Sequence, residues 1–427
     1  MKILKFFAIG TLCLLSLTCK TKSSDKVEIR FWAMGVEGEK VSQLVPEFEQ
    51  RNPGITVKIQ QVPWTAAHEK LITAFASETL PDVFQLGNTW VPEFQNLRAI
   101  EPLTAYIASS SSLKKDFFFD GIWETNVLDK TPYGIPWYVD TRLLFYRKSI
   151  LEKAGYKNPP QTWDELLDAS QKIKKNDPKH YAFFLPTNEW APFVIFGMQG
   201  GSELLRDGGR YGDFSGAAFK KSYNYLMKFY NDGLAPKDMT QVLNLYQAFE
   251  EGYFSMYITG PWNITEFKNR LPADMQDDWM TAPLPSEKKG EYPGVSTAGG
   301  ATLVLNSHST HKDAAWKWIE FLSEKETQLK FYRLVSALPS VITAWNDPEL
   351  HNDKYLQAFY TQLTKTKPTP QIPEWEQIVI AKIQQYVEFT ATGKMSVDEA
   401  LQRLDQDVNL VLEKRRWIIS KTAGGSK

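Results

Sequence analysis

Six of the 14 tryptophans stand beside polar or turn-forming residues in segments that read as loops. Trp64 follows Pro63, Trp90 lies two after Asn88, Trp137 stands three before Asp140, and Trp190 follows Glu189. Trp262 sits in Gly260-Pro261-Trp262-Asn263, and Trp375 comes two after Pro373. A pyranose ring shows apolar C–H faces and a rim of hydroxyls. Holding one takes an aromatic plate for the face and carboxylates or amides for the rim. Carboxylates accept charge-assisted hydrogen bonds from hydroxyls, and a buried hydroxyl left unpaired is penalised. A single tryptophan is more often core packing than ligand contact. The loop placement of the set is what points to a site.

Other chemistries find little support. The five histidines are His68, His180, His308, His311 and His351. Only His308 and His311 are close, across a predicted helix start, and a zinc site needs more ligands than that. Gly393-Lys394 lacks the upstream glycine of a phosphate-binding loop, and the nucleophile-elbow and dinucleotide-binding glycine patterns are missing. No cofactor is expected. The acids are many, but sequence cannot place two of them across a glycosidic bond. Lys+Arg 49 against Asp+Glu 50 leaves net charge −1, so nothing asks for nucleic acid or an anionic membrane surface.

The elements that must carry these residues alternate. VEIRFW (27–32), ITVKIQQV (55–62) and PDVFQL (81–86) read as strands. Between them Val41, Leu44, Val45 and Phe48 follow helical spacing with a kink at Pro46, and Thr65 is expected to cap a second helix. That order implies a mostly parallel sheet covered by helices. YGIPWYVDTRLLFYRK (133–148) runs from Pro-punctuated extended chain into a buried strand. Thr162–Glu165 and Ser396–Glu399 form capping boxes. GGRYGD (208–213) predicts a hairpin, FSMYI (254–258) a strand, and ATLVLN (301–306) a strand leading into a Thr310-capped helix. There are 427 residues, 43% hydrophobic and 23% charged, which suits two domains better than one core.

The chain opens MKILKFFAIGTLCLLSLTC. Two lysines precede an apolar run too short to span a membrane, the build of an export signal. A cysteine closes the run, as in bacterial lipoprotein signals, although Ser16 and Thr18 depart from the usual lipobox. Residues 1–18 are therefore expected to be removed. Cys19 is expected to be lipidated, and 19–26 to form a tether. Cys13 is the only other cysteine, so the mature body would carry no disulfide, thiolate or Cys-ligated metal.

Seven ordered pieces then resemble the family 1 extracellular solute-binding proteins of bacterial ABC importers. They are EFEQRNPGITV (47–57) with EKLITAFASETLPDVFQL (69–86); YGIPWYVDTRLLFYRKSILEKAG (133–155) with PPQTWDEL (159–166); AFEEGYFSMYITGPWN (248–263); STAGGATLVLN (296–306); and AAWKWIEFLSEKETQ (314–328). The resemblance runs from about residue 27 to about 410. It implies a two-lobed α/β periplasmic-binding-protein-like fold (type II) with three crossover strands and a ligand cleft between lobes. It implies lobe 1 as 27–139 with 298–337, and lobe 2 as 140–297 with 338–427. Asp140 falls on a sugar-binding carboxylate of the family's maltose binder, Trp262 on its stacking tryptophan, and Trp190 on an aromatic platform. Glu37, Asn88 and Trp90 fall in cleft-facing loops. Gly299 and Gly300 fall near a crossover where backbone can approach ligand. Trp64, Trp137 and Trp375 complete the candidate set.

The implied function is to bind a mono- or oligosaccharide and deliver it to an ABC permease. The protein would be a monomer outside the cytoplasm, held to the membrane by lipid. Two alternatives stay open: an exported carbohydrate-active enzyme, and a binder of a non-sugar solute such as a sugar phosphate or polyamine.

Overall fold

Val27–Met34 (β1) points Ile29, Phe31 and Ala33 inward with no exposed surface, every second residue, as a half-buried strand must. Ile55–Val62 (β2) runs parallel to it in register from Val27–Ile55 to Met34–Val62, and Val83–Gly87 (β3) pairs on its other side, also parallel. The computed structural model describes residues 26–424 apart from 239 and 241. The export signal, Cys13, Cys19 and the tether up to residue 25 lie outside the described residues.

The remaining strands that bear on the site are Ile135–Asp140 (β4), Leu143–Arg147 (β5), Phe183–Phe184 (β6), Met256–Thr259 (β7) and Trp279–Ala282 (β8). Ser296–Thr297 (β9), Gly299–Leu305 (β10), Leu338–Pro339 (β11) and Thr366–Lys367 (β12) follow. The first lobe is built on a six-stranded sheet in the order β11-β4-β10-β3-β1-β2, the second on a four-stranded sheet in the order β8-β5-β7-β6. The first sheet is mixed, which corrects the expectation of a mostly parallel one. β10 runs antiparallel to both β3 and β4 because it returns from the other lobe and enters from the opposite end. β11 is likewise antiparallel to β4.

The chain passes between sheets from β4 to β5, from β9 to β10, and again beyond β11 towards β12, which pairs with β9. Apolar residues pack on both faces of the first sheet, around Phe31, Trp137 and Trp318 on one side and around Phe84 and Phe94 on the other. A second-lobe core gathers Trp163, Phe196, Tyr223 and Trp375. Phe145, Phe267, Trp279, Leu338 and Trp345 form a cluster where the lobes meet.

Local signals worked unevenly. Thr162 and Ser396 cap as expected, each accepting the backbone N–H three residues on at 3.2 Å. Thr65 and Thr310 do not cap. The helix Trp64–Ala76 starts from an extended Pro63, leaving Thr65 inside its first turn, and the helix Lys312–Leu322 starts from His311, whose N–H bonds to Ser309. Pro46 begins a new helix, Val45–Arg51, after a short 3₁₀ stretch. The hairpin forms from Leu205–Arg206 and Tyr211–Gly212. Among the described residues no helix is long and apolar enough to cross a membrane, and no cluster of three metal-ligand side chains occurs.

Candidate functional site

The C-terminal end of β4 opens into a cavity of about 470 Å³. Glu37 and Tyr138–Asp140 wall it from the first lobe, Pro261, Trp262, Thr265 and Glu266 from the second, and residues 334–338 close the side at the third crossing. This is where ligands of open α/β sheets generally sit, beyond the carboxyl ends of strands.

Glu37 lies in the turn of helix that follows β1. The turn needs Gly35, whose φ is +54° and where a Cβ would stand 2.7 Å from Trp64 Cδ1. The Trp64 indole and the Tyr138 hydroxyl stand beside the Glu37 carboxylate and favour its charged form. Tyr138 in turn accepts a hydrogen bond from Gln85 Nε2 at 3.0 Å, and Gln85 Oε1 accepts the Met34 N–H at 2.7 Å. A chain of hydrogen bonds thus runs from Met34 in the sheet to Tyr138 at the cavity wall. Burial pushes the Glu37 carboxyl above its ordinary range, outweighing the bonds that stabilise its charged form. Burial, then the charges of Glu37 and Asp140, push the Tyr138 hydroxyl well up, so it stays a neutral donor.

Asp140 ends β4 opposite Gly299. A Cβ on Gly299 would lie 2.1 Å from Asp140 Oδ1, so only glycine leaves room for this carboxylate. Arg142 Nη1 donates to the same oxygen at 3.2 Å. The Asp140 side chain keeps 27% of its exposure. Burial raises its carboxyl above the ordinary value, Arg142 pulls it back, and the charge of Glu189 adds to the rise. Gly300 has φ +126° and a Cβ there would meet the Tyr138 carbonyl at 2.2 Å. Both glycines therefore serve close strand pairing at the crossing.

Trp262 opens the helix Trp262–Arg270 and is 48% exposed. Its benzo edge lies over Gly260, where a Cβ would come within 2.1 Å of the ring. The Arg142 guanidinium stands 4.5 Å from the Trp262 ring centroid. A large aromatic left half exposed in such a cavity offers a flat apolar surface.

The other candidates divide. Trp64, 38% exposed, meets Trp90 edge-to-face at 5.9 Å, so both stand with Glu37 at the first-lobe rim. Trp90 in turn meets the His68 ring at 5.1 Å. Asn88 is buried, and its amide donates to the Ala298 carbonyl at 3.0 Å, holding a crossing. Next to it, the Thr89 hydroxyl donates to the Glu376 carboxylate of the second lobe. Trp190 is half-buried on the second-lobe core, and the charge of its neighbour Glu189 reaches Asp140.

Trp137 and Trp375 are corrections: neither faces the cavity. Trp137 is 1% exposed and stacks on Phe331 at 4.6 Å, while Trp375 is 0% exposed inside the second-lobe core. Tyr138 and Arg142 were missed. The signal for Tyr138 was strand alternation: if Asp140 faces the cleft, the residue two before it shares that face and Trp137 takes the other.

The chain matches the model of the bacterial extracellular solute-binding protein family over residues 34–329. It is similar to the sugar-binding protein MalE from the phytopathogen Xanthomonas citri, at 46% identity and TM-score 0.89, over 92% of this chain and 99% of that one. A putative binding protein of Brucella abortus (strain 2308) is 30% identical over 86% of this chain and 90% of its own length. The diacetylchitobiose-binding protein DasA of Streptomyces coelicolor is 28% identical over 84% of each. With its two α/β lobes, its cavity at the crossings and a family match over most of its length, the chain belongs to the bacterial extracellular solute-binding proteins.

Proposed function

We propose that this protein is the substrate-binding component of an ABC sugar importer, holding a mono- or oligosaccharide between its lobes and presenting it to the membrane permease. The observation that carries this reading is the half-exposed Trp262 sharing one cavity with the Glu37 and Asp140 carboxylates. That combination serves the C–H face and the hydroxyl rim of a pyranose together. The sugar-binding and diacetylchitobiose-binding names of similar proteins support it. The charged residues lining the cavity are Glu37, Asp140 and Glu266, and the guanidinium beside them, that of Arg142, is already engaged by Asp140 and Trp262, which disfavours a sugar phosphate.

In this reading Glu37, Asp140 and Trp262 touch the sugar, with Trp64, Trp90 and Trp190 at the rims. The moving bodies are 27–139 with 298–337 and 140–297 with 338–427, with Asp140 and Leu338–Pro339, which still pair in the first sheet, standing at their boundary. Cys19 carries lipid, and the protein acts as a tethered monomer that binds without cleaving.

A thermal-shift screen with maltose, maltotriose, diacetylchitobiose and a wider sugar panel tests this. A ligand at 100 times its dissociation constant that binds only the folded state stabilises by about 2.7 kcal/mol. A clear upward shift with one sugar, and no cleavage of it on long incubation, supports the reading. Cleavage, or no shift with any sugar, overturns it.

A further inference from the structure

Arg142 touches both Asp140 and Trp262. Its backbone is fixed: it sits between β4 and β5, and its carbonyl accepts the Ser296 hydroxyl of the neighbouring crossing at 2.8 Å. From there the side chain, 16% exposed, gives Nη1 to Asp140 Oδ1 at 3.2 Å and lays the guanidinium 4.5 Å from the Trp262 ring centroid. Asp140 closes a strand of the first sheet, and Trp262 opens a helix of the second lobe. One planar cation therefore spans the two parts of the site, a use to which guanidinium is suited and an ammonium is not.

Arg142 does not block the plate. Trp262 remains 48% exposed with the guanidinium in place, and Arg142 is absent from the side chains lining the cavity that Trp262 and Asp140 share. The ring is held from one side and open on another.

We propose that Arg142 is a positioning residue of this cleft: it holds the Trp262 ring and the Asp140 carboxylate in one arrangement, so that a ligand meets both already aligned. The inference rests on the sugar-binding reading for its purpose but not for its test. Preorganised groups bind more tightly because less freedom is lost on association. The guanidinium also favours the charged carboxylate, the form that accepts hydroxyl hydrogen bonds. The other titratable groups facing this pair are Glu189, whose charge reaches Asp140, Tyr257, which feels both Glu189 and Arg142, and Tyr138 with its partner Glu37.

The experiment compares the parent with Arg142→Met, which keeps bulk without charge, and Arg142→Lys, which keeps charge without the planar face. Circular dichroism first confirms that each is folded. In the ligand-free proteins, NMR titration follows the Asp140 carboxyl and the Trp262 indole. Arg142→Met should move the Asp140 midpoint to higher pH and broaden or shift the Trp262 indole signal. Arg142→Lys should restore the first and not the second. With the sugar found by the thermal screen, Arg142→Met should bind at least tenfold more weakly, and its affinity should fall away at higher pH than the parent's. Arg142→Lys should recover the pH profile and only part of the affinity. An unmoved Asp140 midpoint with an unmoved Trp262 signal overturns the proposal, as does a variant that binds more tightly, which would make Arg142 an obstruction. If the parent binds no sugar of the panel, the functional reading fails while the ligand-free titration still decides the role of Arg142.

Discussion

Thr141 donates its hydroxyl to the Thr297 carbonyl at 2.8 Å, with both residues buried, so two of the three passages between lobes are tied at one point. Rotation of one lobe on the other must take place around this tie, in the hinge-closure manner of periplasmic binding proteins. Saturating sugar should give a smaller radius of gyration by small-angle X-ray scattering. An unchanged radius would exclude closure as the signal to the permease.

Trp262 and Trp137 should respond oppositely to truncation. Trp262→Ala removes a half-exposed plate and should weaken sugar binding by roughly 2 kcal/mol or more, with little change in melting temperature. Trp137→Ala empties a packed site against Phe331 and Phe31 and should destabilise by about 3–5 kcal/mol. Calorimetric titration and thermal unfolding of the two variants separate the roles.

Acid should weaken binding early. The Glu37 and Asp140 carboxyls sit above their ordinary values of 4.5 and 3.8, both chiefly through burial. Hydroxyl donors need the charged forms, so affinity should drop as pH falls through those raised values, before ordinary carboxylates protonate. Titration calorimetry between pH 7 and 4 measures this. A flat affinity across the range would remove the two acids from the binding contact.

The same burial predicts a gain in stability. A carboxyl whose folded value is raised stabilises the fold below its unfolded value, and that contribution is lost as pH rises through the folded value. At neutral pH Glu37 is thus a charge held at a loss. Glu37→Gln should raise the melting temperature of the ligand-free protein at pH 7 and weaken sugar binding, a familiar exchange at functional sites. Below pH 4.5 the gain should vanish, which a melting series against pH will check.

Gly300→Ala should destabilise by about 1–3 kcal/mol, since its φ of +126° and a Cβ 2.2 Å from the Tyr138 carbonyl both resist a side chain. Unchanged unfolding would show that the crossing is looser than its geometry.

Much of this was legible in the residues. The alternation of 27–32 and 55–62 located two strands, and the Ser/Thr boxes at 162 and 396 located two helix starts, because both signals are local. Trp137 misled because Pro136 beside it reads as loop, whereas Pro136 lies within a strand whose next residue turns into the core. Trp375 misled likewise after Pro373, since only tertiary packing brings it into the second-lobe core. Arg142 was not legible as a clasp. Its partners are two residues away in one direction and 120 in the other, and no periodicity joins them.

β10 occupies an interior position of the first sheet, between β3 and β4, yet roughly two hundred residues separate its end from Gly87 in the chain. At about 5–20 residues per second, synthesis reaches it about 10–40 s after β3 has emerged. Until then β3 and β4 have no strand between them, and the amino-terminal third of the chain cannot complete its own core. Such non-local pairing also slows folding once the chain is whole. For a chain of an extracellular solute-binding family, this order of assembly leaves the amino-terminal third without its completed sheet throughout that interval.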